Sequence, residues 1–165
     1  MSDLSDLVAD VVGLNGGEMV TKIRLQKTFY FLVACGLIED DLDFEYRYYG
    51  PFSVVLARAA DDAEAQSKLT SSTQPGFHSE PYTVYRRAVE AQPSGSIDSA
   101  RVGEKLAVMR NYSGLELEVA ATIHFLRDNS YGEDAIAETK RRKPVKASEA
   151  RVERAISLLR GLELA

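Results

Sequence analysis

Side chains that commonly carry catalysis or bind transition metals are scarce in this sequence of 165 residues. It contains two histidines, His78 and His124, and one cysteine, Cys35. They lie far apart and show none of the paired spacings that such metal sites use. Nucleophilic catalysis needs a serine or cysteine beside a base, and neither histidine has a sequence context that indicates one. A pairing across long sequence distances stays open. We therefore expect no enzyme activity, no catalytic residue, no metal and no cofactor.

The surroundings of these residues favour structural roles. His124 lies between Ile123 and Phe125 on a predicted helix, which is typical of a packed or half-exposed histidine, whereas His78 lies in a predicted loop and should be solvated. Cys35 falls in the apolar tail of a predicted helix and is expected to be a buried thiol, since a lone cysteine cannot form an internal disulfide.

Two other patterns that could bind ions are incomplete. Gly13 with Gly16 and Gly17 lacks the preceding strand and the following lysine of a phosphate-binding loop, so it predicts a turn. The acidic run 39–43 could attract a cation loosely. It lacks the glycine and distal glutamate of a calcium loop, so we interpret it as a solvated connection.

A dense basic segment is the first candidate binding surface. It consists of Lys140, Arg141, Arg142, Lys143 and Lys146. These cations either interact with the carboxyl end of a helix dipole or bind a polyanion such as RNA, DNA or an acidic protein. The net charge of −5 argues against a general nucleic-acid binder. Residues 1–80 carry 13 acidic and 6 basic side chains, whereas residues 81–165 carry 12 and 14, which reflects either an oppositely charged partner or differently solvated faces.

An aromatic strand is the second candidate surface. Residues 44–49 alternate as a strand does, and core packing would account for Tyr46 and Tyr48. Arg47 and Tyr49 would then point outward, and both residue types commonly anchor protein interfaces.

Two polar residues interrupt an otherwise apolar helix that precedes this strand. Gln26 and Lys27 either bond free backbone groups at the Gly50-Pro51 turn or line an interface. The sequence leaves both alternatives open.

Hydrophobic spacing and capping residues predict the elements that hold these candidates. Glycine-proline and Ser/Thr-rich stretches predict a break after residue 49 and a loop or hairpin tip over 67–81. A glutamate three residues after Ser113 completes a capping box. The predicted helices are 3–13, 21–36, 53–66, one from Asp98, one from Ser113, 133–142 and one from Ser148, and the predicted strands are 44–49 and 82–86.

This order predicts a mainly α (α+β) fold with a winged-helix-like N-terminal half and a small β-hairpin, packed on a C-terminal helical bundle. A general helical fold with a small hairpin is the alternative. We expect a single domain over 1–165, with residues 1–91 forming helices plus a small sheet and 97–165 forming four helices. Residues 92–96 mark the best internal boundary. The acidic N-terminus and the absence of an apolar run of roughly 18 residues predict a cytoplasmic protein without a membrane partner.

Several motifs resemble a known family. Residues 22–32 (KIRLQKTFYFL) and 48–53 (YYGPFS), continuing through 115–123 (LELEVAATI) and the Lys143-Pro144 stop, resemble the uncharacterised bacterial YwgA-like proteins. The N-terminal half resembles, more distantly, the SocA-like Panacea domain of antitoxins. Thr28-Phe29 stands where an aliphatic pair is more usual. The resemblance implies a bacterial protein without enzymatic activity that interacts with other proteins, in the way of an antitoxin or in association with defence or mobile-element genes.

Two functional hypotheses follow. The first is a protein-interaction module that binds a protein partner, such as a toxin, or a second copy of itself through the surface around Gln26, Lys27, Arg47 and Tyr49. The second is a nucleic-acid-binding regulator that uses the winged-helix-like half and the basic segment. The would-be recognition helix, 54–66, offers only Arg58 against three acidic residues, which argues against ordinary major-groove docking.

Overall fold

The computed structural model describes residues 3–76, 80–89, 94–95 and 97–165. The described chain contains seven α-helices and five short strands, and an irregular turn over 127–134 leads into α6. The helices are α1 Leu4–Leu14, α2 Lys22–Ala34, α3 Val54–Ala65, α4 Ser99–Met109, α5 Gly114–Leu126, α6 Ala135–Arg142 and α7 Glu149–Gly161. The strands are β1 Glu18–Val20, β2 Glu45–Arg47, β3 Gly50–Phe52, β4 Leu69–Gln74 and β5 Tyr82–Arg87. The expected mainly α (α+β) class is confirmed.

The strands form two separate antiparallel sheets. One has the order β1-β5-β4, with Met19 opposite Tyr85 and Ser71 also opposite Tyr85. The other is the β2-β3 hairpin, in which Arg47 lies opposite Gly50. The hairpin lies between α2 and α3 in the chain. Its strand β3 packs against α5 and α2.

Helix α5 lies at the centre of the core and packs against α2, α6, α7 and β3. It begins with the predicted capping box, in which Ser113 accepts from the Glu116 backbone N–H and Glu116 accepts from the Ser113 backbone N–H. Every residue from Leu117 to His124 is buried. A helix that is surrounded on all sides must also bury its polar residues, which here include Glu118.

Local capping signals correctly predicted where most helices begin. Thr21, Ser53, Asp98, Ser113 and Ser148 each occupy the N-cap position, and each side chain accepts a backbone N–H from the first turn. A cap acts over three residues of sequence, so it can be recognised without knowledge of the fold.

One loop prediction and one strand prediction were wrong in their bounds. Residues 69–74, expected within a loop or hairpin tip, form β4, because pairing with β5 supplies the backbone bonds that their polar sequence does not suggest. The strand expected over 44–49 ends at Arg47, and the chain returns immediately as β3. His78 lies outside the described residues, as do residues 92, 93 and 96 of the expected internal boundary.

Candidate functional site

A tight two-residue turn, Tyr48-Tyr49, connects β2 to β3. Gly50 follows it with a φ of +87°, a conformation that favours glycine. A Cβ atom at Gly50 would lie 2.7 Å from Thr122 Oγ1 on α5. The hairpin therefore packs its backbone directly onto the central helix, and glycine is required for this approach.

Buried polar side chains of α2 bind the hairpin. Gln26 Nε2 donates to the Ser53 carbonyl oxygen at 2.9 Å, and the Ser53 backbone N–H donates to Gln26 Oε1 at 2.8 Å. Lys27 Nζ donates to the Pro51 carbonyl oxygen at 2.6 Å. For Lys27 this is the first of the two alternatives, whereas Gln26 bonds Ser53, which directly follows β3. Both side chains are buried, so the expectation that Gln26 and Lys27 contribute to an interaction surface is wrong.

The aromatic residues of the hairpin differ in exposure. Tyr46 is half-buried, and its ring lies 6.3 Å from that of Phe125. Tyr48, expected in the core, is 78% exposed because it belongs to the turn and not to a strand face. Tyr49 is 46% exposed and Arg47 is also exposed, as expected. The outward surface of the hairpin therefore contains both turn tyrosines.

A buried carboxylate holds the turn in place through a lysine. Glu118, whose side chain is 1% exposed, lies 2.9 Å from Lys143 Nζ and 3.0 Å from Lys146 Nζ through its Oε2 atom. Lys143 Nζ also donates to the Tyr48 carbonyl oxygen at 2.9 Å. A residue on α5 thus fixes the position of the turn, and sequence reasoning missed it. The available signal was a glutamate between Leu117 and Val119 in an otherwise apolar helix.

The charge at this site is unusual because Lys27 is buried within the same cluster. Desolvation by burial lowers the pKa of Lys27 to about 8, while Glu118 acts in the opposite direction and Lys143 and Lys146 lower it further. Two ammonium groups contact the Glu118 carboxylate and a third, that of Lys27, interacts with it electrostatically, so the cluster contains more positive groups than negative ones.

The five residues of the predicted basic segment all have carboxylate partners. Lys140 pairs with Glu149 at 2.6 Å, and Arg141 and Arg142 each approach Glu138 Oε2 to 2.6 Å. Hydrogen bonds from Arg141 and then Arg142 lower the pKa of Glu138 to about 2. Lys143 is buried. This corrects the expectation of five neighbouring surface cations, because Lys143 is directed into the core toward Glu118.

The hairpin and the basic segment, predicted as separate surfaces, form the two walls of one groove of about 660 Å³. We call it the hairpin groove. One wall consists of Tyr46, Arg47 and Tyr48, and the other consists of Arg141, Arg142, Lys143, Pro144, Val145 and Lys146.

Cation–π contacts join the two walls. Lys146 Nζ lies 5.2 Å from the ring centroid of Tyr48 and 4.5 Å from that of Tyr49. The Arg142 guanidinium lies 4.6 Å from the centroid of the Tyr46 ring. Such contacts place positively charged groups against the aromatic rings of the hairpin. The groove thus combines apolar surface with positive charge.

The remaining reactive residues lie elsewhere. Tyr30 Oη lies 2.6 Å from His124 Nδ1, and His124 Nε2 lies 3.6 Å from Asp128. Desolvation lowers the pKa of His124, and Asp128 opposes this shift. Cys35 is half-buried, not fully buried as expected, and burial raises the pKa of its thiol.

Within the described ranges, no group of three or more His, Cys, Asp or Glu side chains is arranged to hold a metal ion. None of the helices in the same ranges has the length and apolar character to span a membrane.

Comparisons with protein-family models, with curated proteins and with solved structures found no match to this chain. The resemblance to YwgA-like proteins and to the Panacea domain therefore stays a prediction.

Proposed function

We propose that this protein is a non-enzymatic protein-interaction module that binds its partner through the hairpin groove. The observation that supports this proposal is the exposure of large apolar side chains at the two rims of one cationic groove. Tyr48 is 78% exposed and Val145 is 82% exposed. Exposed tyrosine and arginine are the residue types that most often anchor protein interfaces.

The rigidity of the hairpin also supports binding. Lys27 and Lys143 bond its backbone and Gln26 bonds Ser53 directly after it, and all three side chains are buried. A surface that is already ordered loses less conformational entropy when a partner binds. The buried lysines therefore hold the turn tyrosines in one conformation.

The proposal includes a winged-helix-like N-terminal half and an antitoxin-like role in the cytoplasm. The chain order is α1-β1-α2-β2-β3-α3-β4-β5; apart from the inserted β2-β3 hairpin, this order, with β5 between β1 and β4, supports a winged-helix-like half. Major-groove docking through α3 is not favoured, since Asp61 and Asp62 are exposed on it and would repel phosphates. A toxin is the partner that the family resemblance suggests.

The test is a pull-down from the native host with the wild-type protein and two double variants of matched composition. Tyr48→Ser/Val145→Ser alters the hairpin groove. The control variant, Tyr82→Ser/Val89→Ser, removes the exposed tyrosine at the start of β5 and the exposed Val89. We expect one protein to be retained by the wild type and the control variant and lost with the groove variant.

The retained protein is then purified and its affinity measured by titration calorimetry. A groove-dependent loss of at least tenfold, about 1.4 kcal/mol, supports the proposal. Equal affinity for both double variants would contradict it, as would recovery of nucleic acid without any groove-dependent protein.

A further inference from the structure

Pro51 determines which backbone groups of the hairpin face outward. In an antiparallel pair, opposite residues alternate between those that exchange N–H···O bonds and those that do not. Tyr46 lies opposite Pro51. Because proline has no N–H, this pair cannot exchange bonds. The backbone N–H and C=O of Tyr46 therefore point away from β3, toward the free side of β2.

The position of the Pro51 carbonyl supports this orientation. It also points out of the hairpin, on the β3 side, where Lys27 Nζ donates to it. On the opposite side, no hydrogen bond within the described part of the chain involves the backbone N–H or C=O of Tyr46. The flanking residues Glu45 and Arg47 are exposed. β2 is thus a free strand edge, and a free edge is a template for another strand.

The hairpin groove lies beside β2. Successive strand residues point to opposite faces of a sheet. Three consecutive residues, Tyr46, Arg47 and Tyr48, nevertheless all line the groove. A chain lying in the groove therefore passes close to the backbone of Tyr46.

The charge of the groove defines the side chains that such a chain should carry. Five of the nine lining residues are cationic and none is acidic. Their ion-pair partners are three carboxylates, Glu45, Glu118 and Glu138. This excess of positive charge is concentrated in a protein of net charge −5. A short anionic ligand that contacts only the groove is attracted by this charge. A long polyanion also approaches the rest of the protein surface, whose net negative charge repels it.

We propose that the occupant of the hairpin groove is an extended acidic segment of a protein partner, which pairs with β2 as an additional strand. This inference rests on the proposed interaction function and specifies the chemistry of its partner. The segment's main chain bonds to the N–H and C=O of Tyr46. Its alternate side chains are carboxylates that contact the exposed guanidinium of Arg141 and the ammonium of Lys146, and apolar side chains between them pack on Tyr48. Main-chain pairing supplies affinity in this mode, and the side chains supply specificity.

The test begins with selection of phage-displayed random nonapeptides on the wild-type protein. We expect enriched peptides with Asp or Glu at alternate positions. A selected peptide is then synthesised in three forms: unmodified, N-methylated at its central amide, and with its carboxylates changed to amides. We expect each change to weaken binding at least tenfold. Hydrogen exchange measured by NMR should show the Tyr46 amide slowed at least tenfold in the complex, while the Glu45 amide, already bonded within the hairpin, changes little.

The outcomes separate this inference from the proposed function. If acidic peptides bind the groove but N-methylation has no effect and the Tyr46 amide stays unprotected, strand pairing is refuted and side-chain docking remains. If no acidic peptide is enriched, the acidic chemistry is refuted, whatever the pull-down shows. If a twelve-residue thymidine oligonucleotide displaces the peptides and binds more tightly than any of them, the groove is a nucleic-acid site and both proposals fail.

Discussion

Substitution of Glu118 by glutamine tests whether the buried charge cluster holds the groove together. Among the residues that the structure describes, the Glu118 carboxylate is the one negative group that contacts Lys143 and Lys146, and it also interacts electrostatically with Lys27. The Lys143 side chain is only 4% exposed, so glutamine leaves a buried ammonium without its counter-charge.

Removing one partner of a buried ion pair typically costs about 3–5 kcal/mol of unfolding free energy. We expect Glu118→Gln to fall at the lower end, about 3 kcal/mol, because the amide oxygen can still accept a hydrogen bond from Lys143. The matched control is Glu149→Gln. Glu149 pairs with Lys140 at 2.6 Å, but its side chain is 82% exposed, so its loss should cost less than about 1 kcal/mol.

The assay is urea denaturation at pH 7, followed by circular dichroism and analysed by linear extrapolation. A second variant, Glu118→Leu/Lys143→Met, removes both charges and should recover most of the lost stability, since a matched apolar pair is often as stable as a buried ion pair. If Glu118→Gln costs no more than Glu149→Gln, or if the double variant is less stable than the single one, the proposed role of the cluster is refuted.

Three further predictions concern other residues of the core. The pKa of Lys27 is lowered from 10.5 to about 8. Between these two pH values the unfolded chain keeps the Lys27 proton while the folded protein loses it. Wild-type stability should therefore rise by about 2 kcal/mol between pH 7.5 and 9.5 relative to Lys27→Met, as measured by urea denaturation at both pH values, and parallel behaviour of the two proteins would contradict this. Gly50→Ala should cost about 2–4 kcal/mol, because it combines a positive φ with a clash against Thr122, whereas Gly103→Ala, with no atom within 4 Å, should leave the thermal midpoint unchanged or raised. Burial lowers the pKa of His124, so the unfolded chain takes up a proton first as pH falls below about 6.5. Wild-type stability should decline there more steeply than that of His124→Gln, and equal slopes in a pH series of melts would refute this.

The groove itself could not have been predicted from sequence, although most of its residues were singled out. Arg47 of the hairpin was identified by its residue type, and the basic segment by its charge. These two segments are separated by nearly one hundred positions in the chain, and only packing of both against α5 brings them together. The prediction that Tyr48 packs in the core was wrong for a related reason. A strand that continues through residue 49 and a strand that ends in a two-residue turn show the same alternation of residue types in the sequence.

Strand β4 shows the same dependence on a distant partner. Its sequence, LTSSTQ, has one buried apolar residue, Leu69, and no hydrophobic alternation. Its pairing with β5 provides a ladder that the segment cannot form alone. Local polarity therefore predicted a loop where tertiary pairing makes a strand.

The sequence by itself determined the helices and their boundaries, because a cap such as Ser53 or Ser113 satisfies backbone groups only a few residues away. It also indicated that Gln26 and Lys27 were unusual. Only the tertiary structure decided what those polar groups do. A buried amide or ammonium must find a partner, and the partners here, the carbonyls of the hairpin and Glu118, become neighbours only after the chain has folded.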